Sequence, residues 1–117
     1  DTGFRVWSGN DDETFSIMAL GGFGVVSVAS NIIGVQIKRM IGSILEGNIE
    51  SAANHHKELL PLFQGLFWIT NPILIKRALN MSGFNVGGLR LPMKDSGELE
   101  KDFSELLSRY DIDVTNN

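Results

Sequence analysis

The stretch Arg5-Val-Trp-Ser-Gly-Asn-Asp-Asp-Glu13, followed by Gly21-Gly-Phe-Gly-Val-Val-Ser-Val-Ala-Ser-Asn31, decides the fold that this sequence predicts. Each segment contains a short apolar run, typical of a buried strand, and then turns polar. The residues between the two runs are enough for one helix and a glycine turn. The order strand, helix, strand predicts a βαβ unit with parallel strands and a right-handed crossover.

Both predicted strands, residues 4–8 and 24–28, end at small or polar residues. In folds built on parallel strands, active sites form in the loops that follow the strands. Two strands cannot close a barrel, and a two-stranded parallel sheet is not a usual stable architecture. We therefore expect other polypeptide to complete the sheet.

Composition excludes several classes of protein. The 117 residues carry 14 acidic and 10 basic side chains, a net charge of −4 that disfavours nucleic acid as a partner. The absence of cysteine excludes disulfides and zinc–thiolate sites, and is compatible with a cytoplasmic location. No apolar run approaches the roughly 20 residues that cross a bilayer, so no membrane partner is expected. The chain begins at Asp1, as a cleaved or truncated product would.

The remainder is predicted to be mostly helical. Apolar residues recur at helical spacing from Ile37 to Leu45, and Gly47 ends that helix. Asn48 is predicted to cap a longer helix, in which Pro61 should produce a kink or a split.

Two further helices are predicted near the end of the chain. One begins with Asn71 as its N-cap and Pro72 at its first helical position. A short extended segment, residues 89–93, follows. The last helix is amphipathic, and residues 115–117 are expected to fray. Its apolar face consists of Leu99, Phe103, Leu106, Leu107 and Tyr110.

Five short motifs occur in one order along the chain: V-W-S-G-N-D-D-E, G-V-V-S-V-A-S-N, L-L-P-L-F, T-N-P-I and L-R-L-P-M. In this order and spacing they resemble the dihydrodipicolinate synthase family of pyruvate-dependent class I aldolases, of which N-acetylneuraminate lyase is a relative. The resemblance covers residues 4–93, whereas residues 94–117 resemble only the variable final helix.

The resemblance implies an α/β fold, the C-terminal part of a TIM (β/α)8 barrel. Residues 1–47 would form the last two βα units, with the seventh and eighth strands. Residues 48–117 would form the C-terminal helical extension. The N-terminal part of the barrel, strands 1–6, would be the partner of this chain.

The family condenses pyruvate with L-aspartate semialdehyde in lysine biosynthesis, through a Schiff base on a lysine of the sixth strand. That lysine would lie before Asp1, so the resemblance implies a chain that is inactive by itself and holds no catalytic residue. No metal or organic cofactor is implied, because the lysine imine is the electron sink. The resemblance also implies a cytoplasmic homotetramer.

Four residues are expected to bind substrate. Val26 matches the aliphatic residue whose backbone lines the family's pyruvate pocket, although a plain core valine is the alternative. Ser8 and Gly9 either line the substrate site or form a simple turn. Asn10 stands where bacterial members commonly have Asp, so a carboxylate role there is in doubt.

Other polar residues have simpler interpretations. Asp11 and Asp12 could form an acid/base pair, but helix N-terminal stabilisation explains them better, with Asn10 as cap and Glu13 completing a capping box. Asn71 is expected to cap its helix, with a supporting role behind the active-site mouth as the functional alternative.

Four more residues are weaker candidates for site residues. Phe67 is expected in the core rather than in a pocket wall. His56 follows His55 directly, and adjacent residues on a helix do not readily share a metal ion. Lys76 could form a Schiff base if desolvated, but its place on a helix beside an arginine disfavours this.

Alternatives to the synthase remain open. A sialic-acid lyase or a keto-deoxy-sugar aldolase of the same family would differ mainly outside this chain. A non-catalytic structural or assembly module is the alternative from another class, favoured by the missing lysine.

Overall fold

The computed structural model describes residues 3–114, so the expected fraying of residues 115–117 lies outside the described residues. The chain forms a small βαβ unit followed by packed helices. In order, the elements are β1 (Trp7–Ser8), a 3₁₀ turn (Asp11–Glu13), α1 (Thr14–Ala19), β2 (Gly24–Val25), α2 (Ser30–Leu45), α3 (Ile49–Gly65), α4 (Ile73–Met81) and α5 (Glu100–Leu107).

Strands β1 and β2 pair in parallel, as predicted, with Trp7 opposite Gly24 and Ser8 opposite Val25. The strands are shorter than the five residues expected of each. One further bond continues the pairing at the carboxyl end, where the amide of Val26 donates to the carbonyl of Ser8 at 2.9 Å. Within residues 3–114 the sheet has only these two strands, so each has only one neighbour to define its length.

Helix α2 begins at Ser30, well before the predicted Ile37, and bends at Ile33, whose φ of −136° and ψ of 37° are not helical. Sequence periodicity located only the regular part after the bend.

Helix α3 behaves as predicted at its start, where the Asn48 side chain accepts from the Ser51 amide at 3.1 Å. The split predicted at Pro61 is absent, because α3 runs unbroken from Ile49 to Gly65. The proline stands on an exposed side, whereas Leu62 and Phe63 are buried in the core. Packing of this buried face outweighs the loss of one backbone hydrogen bond.

The predicted start of α4 is wrong by one residue. The helix begins at Ile73, and Pro72, with φ −103° and ψ 25°, is its N-cap residue rather than its first helical residue. The side chain of Asn71 is therefore not the cap. The carbonyl of Thr70 accepts from the Ile73 amide at 3.1 Å and turns the chain into the helix.

One apolar core joins the helices. It combines α2 with α3, α4 and α5 and therefore spans both sides of residue 47, so the division into barrel units and extension stays a prediction. Its fully buried members include Ile32, Ile33, Leu62, Leu74, Ala78 and Phe103.

Candidate functional site

The candidate site is the edge of the sheet at the carboxyl ends of β1 and β2. The bond between Val26 and Ser8 places the two following loops side by side. These are the loops to which the sequence assigned its substrate-binding residues, and the fold brings them together.

Ser8 belongs to the hydrogen-bond network of its own loop. Its side chain is 1% exposed, and its Oγ donates to the Asn10 carbonyl at 2.7 Å and lies 3.2 Å from Thr14 Oγ1. Because side chains alternate along a strand, Ser8 points towards the helices and Trp7 to the opposite face. The substrate-lining role of Ser8 stays a prediction, and its hydroxyl already has partners within the loop.

Gly9 and Asn10 form the exposed rim of this loop. A Cβ on Gly9 would meet no atom within 4 Å, and its φ lies outside the left-handed region. Asn10 is the N-cap residue of the 3₁₀ turn, as predicted, but its side chain bonds no helical amide and its Nδ2 donates instead to the Glu13 carboxylate at 2.7 Å. The Asn10 carbonyl instead receives the Ser8 hydroxyl, which closes the loop from within. The Asn10 carboxamide stays at the surface, beside the candidate site.

Val26 follows β2 directly and is 72% exposed. It lies two residues after Gly24 and therefore on the same face as Trp7, opposite to Ser8. Val26 is therefore not buried among residues 3–114, and both its pocket role and the alternative of a core valine stay predictions. An exposed valine at the carboxyl end of a parallel strand is available to line a site that other residues complete.

Asp11 is the residue that sequence reasoning missed. It stands in the first turn of its own helical segment, as expected, but its Oδ2 also accepts from the amides of Val28 and Ala29 at 3.1 and 3.0 Å. The side chain is buried, and its Oδ1 has no hydrogen-bond partner among the described residues. No local pattern could have found this contact, since its partners lie 17 and 18 residues away.

Phe67 does not lie in the core, where the sequence predicted it. It is 48% exposed and lines a cavity of about 340 Å³ together with Asn10 and Glu13. The cavity connects the loop after β1 with the end of α3. Asn71 is exposed and is not among the residues that line this cavity, so its supporting role stays a prediction.

The two histidines and the candidate lysine have structural partners. His56 stacks on Phe15 at 5.4 Å between ring centroids, and burial lowers the pKa of His56 although Asp12 opposes the shift. The Nδ1 of His55 lies 3.8 Å from the Glu58 carboxylate. Lys76 donates to the carbonyl of Gly88, in the loop that follows α4.

Residues 3–114 contain neither a cluster of metal ligands nor a helix fit to span a membrane. No three histidine, aspartate or glutamate side chains in that range lie where they could share a metal ion. No helix in that range has the length and apolar character that crossing a membrane requires.

Comparison with known proteins identifies relatives over nearly the whole chain. The sequence model described as the dihydrodipicolinate synthetase family matches residues 1–109. A 4-hydroxy-tetrahydrodipicolinate synthase of Dehalococcoides mccartyi (strain ATCC BAA-2266 / KCTC 15142 / 195) is 52% identical over 112 residues, which are 95% of this chain and 38% of the relative. The synthase of Heliobacterium modesticaldum is 45% identical over 113 residues, 96% of this chain and 38% of the relative.

The chain is also similar to solved structures of dihydrodipicolinate synthases. The dihydrodipicolinate synthase of Aquifex aeolicus superimposes with a TM-score of 0.89 at 39% identity, over 99% of this chain and 40% of that protein. The enzyme of Thermotoga maritima gives a TM-score of 0.82 at 40% identity, over 92% of this chain and 38% of that protein. The chain thus spans little more than a third of the length of its relatives.

Proposed function

The chain belongs to the dihydrodipicolinate synthetase family, and from this premise we propose that it is the C-terminal portion of a 4-hydroxy-tetrahydrodipicolinate synthase. Residues 1–47 would supply the last two βα units of a TIM barrel, and residues 48–117 the helical extension. The complete protein would condense pyruvate with L-aspartate semialdehyde on the route to lysine. The observation that carries this proposal is the parallel pairing of β1 with β2, which joins the loops bearing Ser8 and Val26 at one edge.

The chemistry would depend on residues outside this chain. A lysine amine of the preceding barrel part would add to the ketone carbon of pyruvate and lose water to give the imine. Loss of a proton from the methyl carbon gives the enamine, which attacks the aldehyde carbon of the second substrate. The amine of that substrate then closes the ring and releases the lysine.

In the complete protein, this chain would form one wall of the pyruvate pocket. Val26 stands exposed at the sheet edge, with its backbone held by Ser8 at 2.9 Å, so its position is defined before substrate binds. Gly9 and Asn10 would border the same opening from the neighbouring loop. Asn71 would act at a distance, through the turn that leads into α4.

Assembly and location are proposed on the family resemblance. The N-terminal part of the barrel, strands 1–6, would cover the sheet face left exposed here. A homotetramer in the cytoplasm follows from the same resemblance.

The experiment that tests the proposal traps the imine in the complete protein. Pyruvate and sodium borohydride should add one pyruvate-derived group per subunit, and peptide mapping should place it on a lysine outside these 117 residues. L-aspartate semialdehyde, supplied in turnover without borohydride, should then be consumed together with pyruvate. Lack of a trapped adduct would contradict the Schiff-base mechanism, and consumption of a sugar-derived aldehyde instead would contradict the proposed second substrate.

A further inference from the structure

Asp11 is buried in a way that carboxylates seldom are. It is 4% exposed although it lies in the short 3₁₀ turn that follows β1. Burial of a carboxylate is costly unless hydrogen bonds compensate for the lost water. Two backbone amides provide that compensation, and both belong to the loop after β2.

These amides mark the start of α2. Ala29 is the N-cap residue of α2 and has no side chain that could cap the helix. The first helical amide, that of Ser30, donates to the Ser27 side chain at 2.8 Å, and Asp11 accepts from the two amides before it, at the positive end of the helix dipole. The carboxylate therefore joins the loop after β1 to the beginning of α2.

Two hydrogen bonds also restrict the backbone around Val26. Its amide is fixed by the Ser8 carbonyl, and two residues later the amide of Val28 is fixed by Asp11. The backbone between these bonds has little freedom to move relative to the loop after β1. The position of the exposed Val26 side chain thus depends on the carboxylate of Asp11, which is itself buried.

We propose that Asp11 is a positioning residue for pyruvate: its buried carboxylate holds the loop of residues 26–29 so that Val26 forms the pocket wall. This inference rests on the proposed function, because it needs pyruvate to bind at that edge. Asp11 touches no reacting atom in this scheme and acts only through the loop.

The test uses the complete protein with Asp11→Ala, Asp11→Asn and, as a matched control, Asp12→Asn. Asp12 is the next residue of the same turn, is exposed and bonds neither amide. The pyruvate concentration that half-saturates borohydride trapping reports binding, and hydrogen exchange of residues 26–31 reports the loop. Asp11→Ala should raise half-saturation about tenfold and Asp11→Asn about threefold, with faster exchange in both, whereas Asp12→Asn should stay within about twofold.

The outcomes separate the two proposals. Faster exchange of residues 26–31 with an unchanged pyruvate half-saturation would make Asp11 a helix cap only and overturn the inference. Should Asp11→Ala fail to fold, the nearly isosteric Asp11→Asn decides by the same criterion. Failure of the unsubstituted protein to trap pyruvate would instead overturn the proposed function, and the inference with it.

Discussion

At the scale of single residues, two carboxylates organise loops that have no regular structure. Asp11 does so by accepting backbone amides, as described above. Asp95 does so by pairing with Arg77, a guanidinium on α4 whose side chain is only 8% exposed. Arg77 Nε donates to Asp95 at 2.9 Å, and Arg77 Nη1 donates to the Glu98 carbonyl at 2.8 Å. Arg77 thus fastens the second half of the chain between α4 and α5 to α4, while Lys76 and Asn80 bond its first half.

This arrangement predicts a loss of stability for Asp95→Asn. The substitution leaves the buried Arg77 without its counter-charge, and because Asp95 is itself 35% exposed we expect about 1–2 kcal/mol rather than the full cost of a buried pair. Urea unfolding of the complete protein would measure it. Glu105→Gln, which removes the exposed pair with Arg109, is the control and should cost at most about 0.5 kcal/mol. Equal effects of the two substitutions would contradict the role assigned to Arg77.

The same pair predicts a dependence on pH. Hydrogen bonding from Arg77 lowers the pKa of Asp95, and the Gly97 amide adds to this effect while burial opposes it. A carboxyl group whose pKa is lower in the folded state stabilises the fold above its unfolded pKa, and this stabilisation is lost as the pH falls through the lowered value. The difference in stability between the native protein and Asp95→Asn should therefore be largest near neutral pH and shrink below about pH 4.

At the scale of elements, Asp113, in the segment after α5, forms hydrogen bonds with the bend in α2. At Ile33 the helix loses its regular bonding, and two backbone groups beside the bend find partners in Asp113. The Asp113 amide donates to the Ile32 carbonyl at 2.8 Å, and its carboxylate accepts from the Val35 amide at 2.6 Å. The segment after α5 therefore completes a helix that begins 83 residues earlier (113 − 30).

Asp113→Ala is expected to loosen this bend. It removes the acceptor of the Val35 amide, which should cost about 1–2 kcal/mol and speed hydrogen exchange at residues 33–37. Asp111→Ala is a matched control, because Asp111 contributes its backbone carbonyl to Gln36 at 2.7 Å and the substitution leaves that carbonyl in place. The assignment is contradicted if exchange at the bend is the same in both variants.

At the scale of the whole molecule, the sheet face of Trp7 and Val26 and the apolar residues beside the strands are exposed among the described residues. Large apolar side chains lie exposed along and around both strands, and the Trp7 and Phe23 rings pack against each other at 4.9 Å between centroids. Trp7 also covers Gly24 so closely that a Cβ there would lie 2.7 Å from the ring. The exposed set is Phe4, Val6, Trp7, Phe23 and Val26, which we call the strand surface. An apolar surface of this kind indicates a site for further polypeptide.

Trp7→Lys should therefore be severe in the complete protein. If the remaining barrel covers the strand surface, the substitution buries a charge and removes a large ring, at a cost of about 3–5 kcal/mol. Leu45→Lys is the control, since Leu45 is 75% exposed at the end of α2, away from the strands. Thermal and urea unfolding should separate the two variants, and equal tolerance of both lysines would show that the strand surface stays open.

The sequence by itself determined the elements whose signals are local. The alternation of short apolar runs with polar loops predicted the βαβ unit, and Asn48 predicted the start of α3 from its capping chemistry alone. The ordered motifs identified the family, which residues 1–109 match. Such features depend on neighbours within a few residues, so they can be read along the chain.

Only the tertiary structure decided features whose partners are distant in sequence. Asp11 bonds amides 17 and 18 residues away, and Asp113 bonds an amide 78 residues away, so neither role has a local pattern. Pro61 stays within a continuous helix because burial of the surrounding apolar side chains compensates for the lost bond. Local propensity sets where a helix or strand can form, but packing and long-range hydrogen bonds determine where it begins, where it bends and which side chains remain exposed at the sheet edge.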